Sequence, residues 1–254
     1  MGVMDVYRSR MERNGLTLHD AALKREVRYL DRKIPNNLSY QTVSIDGETQ
    51  NVAVINSDNL NEKYIYSMPG EDIKHGGYVY WMDNYWLVTE RDTNTTVYTR
   101  AIMIQCNFHL HWIDPTGNLH DQWCIIEDGT KYLTGEFTDR DFITTRGDSR
   151  IAMTIARNEF TEKFDRESRF LIDDPNSAIV LAYTLSKPLK LFNVFNGRGV
   201  YKFVLQEVVS TCNDNTELMV ADYYKYHKDD SASSGEGNDG EIEGTGDGRK
   251  KVWI

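Results

Sequence analysis

Two histidines one residue apart, His109 and His111, are the residues best placed for chemistry in this sequence. Side chains i and i+2 of a strand point the same way, so the two imidazoles could share a metal ion. Asp114, His120 or Asp121 could add a third ligand, a set that would suit a metal-dependent hydrolase. The simpler reading is a pair of solvated strand histidines. Ile102, Ile104, Cys106, Phe108, Leu110 and Trp112 share one parity, and Gln105, Asn107, His109 and His111 the other, polar one. A second constellation sets Asp139, Asp141 and Asp148 among Arg140, Arg146 and Arg150, but alternating charge in a loop is usually solvated or paired. There is no Gly-rich phosphate loop, G-x-S-x-G, C-x-x-C or H-E-x-x-H. The 15 Tyr, 9 Phe and 5 Trp could stack on single-stranded bases, yet a net charge of −10 opposes holding a phosphate backbone. We expect no catalytic, cofactor-binding or metal-binding residue, and no enzyme.

The elements that would carry these residues read as strands. Residues 76–112 suggest a tight hairpin turning at Asp83-Asn84, followed by one very long strand. In that register Trp81 faces Trp86 and Val79 faces Val88, while Tyr78, Tyr80, Tyr85 and Leu87 share the other side, so the hairpin should be covered on both faces. A turn at 114–117 sends the chain back through 119–126, with Leu110 near Trp123 and Phe108 near Ile125. Upstream, 42–45 and 50–55 flank Asp46-Gly47 as a hairpin, and 64–66 is a short strand. Downstream, strands are expected at 151–155, 169–172, 179–185, 189–195 and 200–209. Residues 64–90 and 151–185 echo one another as strand, polar turn-rich stretch, strand, turn and strand, which suggests two related β modules.

The two ends differ from this middle. Residues 1–36 read as a helical arm: Met4, Tyr7 and Met11 form one stripe, Gly15 stops the first helix, and Thr17 caps a second carrying Leu23, Val27, Leu30 and Ile34. Residues 1–34 hold eight cations against five carboxylates, a net +3, which leaves −13 for the rest. Arg8, Arg10, Arg13, Arg25 and Arg28 are the candidate docking residues for an acidic partner. Residues 227–254 read as a flexible acidic tail ending in Arg249-Lys250-Lys251-Val252-Trp253-Ile254, where Trp253 could plug a neighbour's pocket. The expected fold is mainly β, with antiparallel barrel or sandwich modules at 37–135 and 136–226, the latter a second module or a continuation of the first. Cys106, Cys124 and Cys212 are too few and too scattered for a disulfide framework, which points to reduced thiols. No stretch approaches the length of a membrane span, and the opening MGVMDVYRSR lacks an apolar signal core, so assembly in a cytoplasm is expected.

Several of these pieces together resemble neck proteins of tailed bacteriophages of low-GC Gram-positive hosts, the head–tail connector, head-closure or stopper proteins. The resemblance rests on Tyr7-Arg8-Ser9-Arg10 with Gly15; Gly76-Gly77-Tyr78-Val79 before Trp86-Leu87-Val88; and Val97-Tyr98 leading to Gln105-Cys106-Asn107 and Leu110-His111-Trp112. It continues through Thr161, Arg169-Phe170-Leu171-Ile172-Asp173, Ala182-Tyr183-Thr184-Leu185, Gly197 to Gly199, and Ala221-Asp222-Tyr223-Tyr224. It implies a structural virion protein in the neck, forming a homo-oligomeric ring of about twelve copies. A portal or adaptor would sit above it and a tail protein below. Packaged double-stranded DNA would pass through without sequence-specific contacts, and no membrane would be involved. A tail-completion or tail-hub component is the alternative within the same class.

Overall fold

The structure is a computed structural model that describes residues 2–15, 17–92, 96–128, 150–174, 177, 179–191 and 193–227, with the backbone alone for 10–14. Alternating β-branched and aromatic residues build the first module from β1 (Tyr40–Ile45), β2 (Glu48–Asn56), β3 (Glu62–Ser67), β4 (Tyr78–Trp81), β5 (Asn84–Asp92) and β6 (Arg100–Gln105). These pair as β1-β2-β3-β6-β5-β4 and close into a barrel, because β4 returns to β1 through Ser44–Tyr80 and Ile45–Val79. Asp46-Gly47 turns β1 into β2 with φ of 50° and 87°, the left-handed pair that a two-residue hairpin needs. One residue of every second position faces inward, and Val52, Ile65, Val79, Val88 and Met103 fill the barrel.

The second module comprises β7 (Phe108–Ile113), β8 (Leu119–Asp128), β9 (Arg150–Ala156), β10 (Arg169–Leu171), β11 (Ala182–Leu189), β12 (Val194–Phe195) and β13 (Arg198–Val208). Its order is β7-β8-β9-β13-β11-β10, with β12 attached to β13 alone. Leu110, Met153, Ile155, Phe170, Phe203 and Leu205 form its core. Leaving out β12, this is the strand order of the barrel: three strands in sequence, then the last, the fifth and the fourth. The echo between 64–90 and 151–185 falls on equivalent strands, β3 to β5 and β9 to β11. The copies differ at one place. β1 and β4 are hydrogen-bonded, whereas no pairing joins β7 to β10 among the described residues.

The long strand expected to run to Trp112 is two strands in two sheets. Cys106 N–H donates to the Tyr85 carbonyl of β5 at 2.9 Å, and Asn107 N–H donates to the Cys124 carbonyl of β8 at 3.2 Å. The Asn107 side chain completes the handover by donating to the Ile126 carbonyl and accepting from the Ile126 N–H, both at 2.8 Å. β7 and β8, which the sequence reading groups with the first module at 37–135, therefore pair in the second sheet. The inward row of β6 is Ala101 and Met103, while Ile104 and Cys106 face the seam between modules.

Registers shift as well. The hairpin turns at Met82-Asp83, with φ of 50° and 59°, so Val79 pairs with Trp86 and Tyr80 with Tyr85. A two-residue slip preserves the faces, and Trp81 still packs on Trp86 at 5.6 Å. Cover on both faces holds only at the base, where Leu87 is buried; Tyr80 and Tyr85 at the tip are exposed. Across β7 and β8 the pairing is His109–Trp123 and Leu110–Gln122, one residue from expectation.

The modules meet through Leu87, Cys106, Ile125, Ala156 and Val200, flanked by Tyr78, Ile104 and Trp123. Within this apolar seam the Tyr78 hydroxyl donates to the Trp123 carbonyl and accepts from Gln122 Nε2 at 2.9 Å. Gln122 Nε2 also donates to the Ala156 carbonyl, and Gln122 Oε1 accepts from Asn158 Nδ2 at 2.7 Å. At one edge the backbones touch directly, since a Cβ on Gly76 would overlap the Gly199 carbonyl oxygen. Gly76→Ala, at φ 78°, should cost about 2–5 kcal/mol from overlap and left-handed strain together. Gly70→Ala, at φ 86° with open space around it, should cost only about 1–2 kcal/mol. Urea unfolding of the two variants checks the difference.

Candidate functional site

Two helices precede the barrel, α1 (Val3–Asn14) and α2 (Leu18–Lys33). Gly15 joins them at φ 103°, and a Cβ there would stand 2.6 Å from that of Asp20. Thr17 Oγ1 accepts from Asp20 N–H at 3.1 Å while the Asp20 carboxylate accepts from Thr17 N–H at 3.2 Å, a capping box that fixes where α2 starts. The expected arm is present, but α2 contains no buried residue. Met4 is 79% and Tyr7 62% exposed. Leu23, Val27 and Leu30 line one side of α2 and are only partly covered, while Arg25 and Arg28 stand exposed on the other. Each such aliphatic side chain is worth about 1.5–3 kcal/mol when fully buried. Helices of 12 and 16 residues are marginal in water without a packed face. Arg8 is exposed on α1; the side chains of Arg10 and Arg13 and all of Trp253 lie outside the described residues.

His109 and His111 do sit together on β7, with ring centroids 4.5 Å apart. His109 is half-buried, not solvated: its ring stacks on Trp123 at 4.7 Å and Nε2 lies 2.8 Å from Asp121 Oδ2. Trp123 in turn stacks on Tyr85 of the barrel at 5.0 Å, so the histidine is one rung of an aromatic column bridging the modules. Burial first, then the neighbouring His109, push the His111 imidazole below its ordinary pKa. Asp114 is engaged elsewhere, accepting from Thr116 and facing His120 Nε2 at 3.2 Å. Among the described residues, no three His, Cys, Asp or Glu come together as a metal-holding group. Asp139, Asp141, Asp148, Arg140 and Arg146 lie outside the described residues, and Arg150 opens β9. Cys106 and Cys124 are buried free thiols, and burial lifts Cys106 to about 12; Cys212 is exposed.

What sequence reasoning missed is a cavity of about 290 Å3 at the unpaired seam between β7 and β10. Its walls include Trp112, Phe160, Phe164 and Phe170, with Tyr226 from a short last helix, α3 (Tyr223–Tyr226), closing one side. The segment carrying α3 is fastened by one arginine. Arg169 of β10 donates to both oxygens of Asp214, at 3.1 and 3.0 Å, and to Asp222 Oδ1 at 2.7 Å. Burial alone would raise the Asp214 pKa, but the N–H groups of Asp222 and Thr211 and the Arg169 guanidinium hold it below the ordinary carboxylate value. Asp222 takes φ of 54° to reach this clamp. No motif announces it, because the three residues lie 45 and 53 positions apart.

Residues 17–105 match the family model of the YomX N-terminal domain, a phage-associated family. That span opens on the cap of α2 and closes on the last residue of β6, so it covers α2 and the whole barrel. No curated protein matches. Among solved structures, MrkH, titled a novel c-di-GMP dependence transcription regulatory factor, aligns at 9% identity over 76% of this chain and 83% of its own. With a TM-score of 0.24 it carries no argument about fold or ligand.

The clamp makes a signed prediction. Arg169→Ala strands two carboxylates and should cost about 3–5 kcal/mol in urea unfolding at pH 7. The folded-state pKa of Asp214 is depressed, so its contribution is present above the unfolded value near about 3.9 and is lost as pH falls through the folded one. The gap between wild type and variant should therefore narrow below about pH 4.

Proposed function

We propose that this protein is a structural component of a tailed-phage particle, a ring-forming neck subunit between portal and tail that acts by assembly and not by catalysis. The observation that carries the proposal is the arm: two helices, the second capped at Thr17, whose apolar side chains among the described residues are exposed or only partly covered, joined directly to the β body. Support comes from the phage-associated match, which takes in α2 and the barrel as a unit. The charge distribution fits too. A +3 arm beside a −13 remainder suits docking of the arm on an acidic neighbouring surface, through Arg8, Arg10, Arg13, Arg25 and Arg28. An acidic lumen would repel DNA and let it slide, where a basic one would hold it. The partners are then further copies of the chain in a closed ring, a portal or adaptor on one side and a tail protein on the other. A tail-completion or tail-hub position differs only in place within the particle, and imaging of labelled particles separates the two.

Deletion of residues 1–34 tests the role of the arm. Because α2 buries no residue, the shortened protein should keep its unfolding free energy within about 1 kcal/mol. It should fail to form large cyclic species by native mass measurement and fail to join heads. A shortened protein that unfolds, or one that still assembles normally, overturns the reading.

A further inference from the structure

We propose that residues 249–254 of this same chain fold back into the cavity between β7 and β10, with the Trp253 indole seated among the rings of Trp112, Phe164 and Phe170. The inference does not depend on the neck reading. Three observations carry it. The cavity lies at the one seam where the second module fails to repeat the strand pairing of the first, so β7 and β10 both present backbone edges that an extended segment can join. Its lining carries four carboxylates, Asp114, Asp165, Glu167 and Asp222, against two cations, Lys163 and Arg169, and Asp165 and Glu167 are exposed at the mouth. Arg249-Lys250-Lys251 supplies the opposite charge directly before Val252-Trp253-Ile254, three apolar residues with β-branched neighbours on both sides of the indole. Finally, the described chain ends beside the cavity, since Tyr226 forms part of its wall. The 21 residues from 228 to 248 are rich in Gly and Ser, and a coil of that length spans roughly 25 Å, ample for a return to the point of departure. Tethering so close to the site raises the local concentration of the segment to the order of millimolar, which favours the chain's own cavity over a neighbour's.

The test uses the full chain, a version ending at Lys228 that keeps every described strand and helix, and a synthetic peptide of residues 248–254 with blocked ends. The peptide should bind the shortened protein and shift the NMR signal of the Trp112 indole N–H, and Trp253→Ala in the peptide should abolish both effects. Glu167→Lys in the shortened protein, an exposed change, should weaken the peptide by about two- to fivefold. The full chain should take the peptide at least about tenfold more weakly, as a millimolar internal competitor imposes on a site of roughly 100 µM. Failure of the peptide to bind, binding without a change at Trp112, or equal binding to both versions overturns the proposal. So does self-association of the full chain that vanishes on shortening, since the segment would then occupy a neighbour's cavity.

Discussion

The architecture depends on a handover at Cys106 and Asn107, where consecutive backbone N–H groups bond to strands of different sheets. A chain crossing between sheets normally leaves backbone donors to water, and here both are satisfied inside the protein. Asn107 makes this possible because its amide offers a donor and an acceptor in the geometry of a peptide group, so β8 finds a pairing partner where the chain is still turning. The same step brings Cys106 and Ile104 against Ile125 and Val200, so the covalent link and the apolar seam coincide. Tyr78, Gln122 and Asn158 then bond to one another and to the Trp123 and Ala156 carbonyls within that seam.

Around this joint the chain uses one strand order twice and finishes it differently. In the first copy β4 reaches β1 and the sheet closes, which removes every edge. In the second, β10 has only three residues and stops short of β7; Arg169 uses its guanidinium to fasten the 209–227 segment over the gap. Closure by side-chain charge instead of backbone pairing leaves a cavity at this seam, and it makes the closure sensitive to acid.

Much of this was legible in the sequence where short-range physics decides. Asp46-Gly47, Gly15 and the Thr17 cap sit where left-handed turns and helix starts require them, and the echo of 64–90 in 151–185 fell on equivalent strands. For 102–112 the expected inward parity held in β7 but not in β6, where Ala101 and Met103 point into the barrel, and continuity was wrong. One even-numbered apolar row serves first as the outer face of the barrel against its neighbour, then as the inner face of the second sheet, so periodicity gives no sign of the break. The hairpin slipped by two residues because Met82, at φ 50°, takes a conformation that turn statistics assign to Asn or Gly. The cavity and the Arg169 clamp were invisible, since each is assembled from residues far apart in the chain and from a strand that ends early. His109 and His111 were correctly paired, but their stacking on Trp123 and Tyr85 is a tertiary fact.

The contact of Gly76 with Gly199 has a geometric consequence for any assembly of this protein. With no side chain between the two backbones, there is no soft layer to absorb a change in the angle between modules. Subunits in a closed ring must sum their turning angles to one full circle, and small errors accumulate with each copy. If copies of the chain close into the proposed ring, this joint of bare backbone fixes in each copy the angle at which its two modules meet.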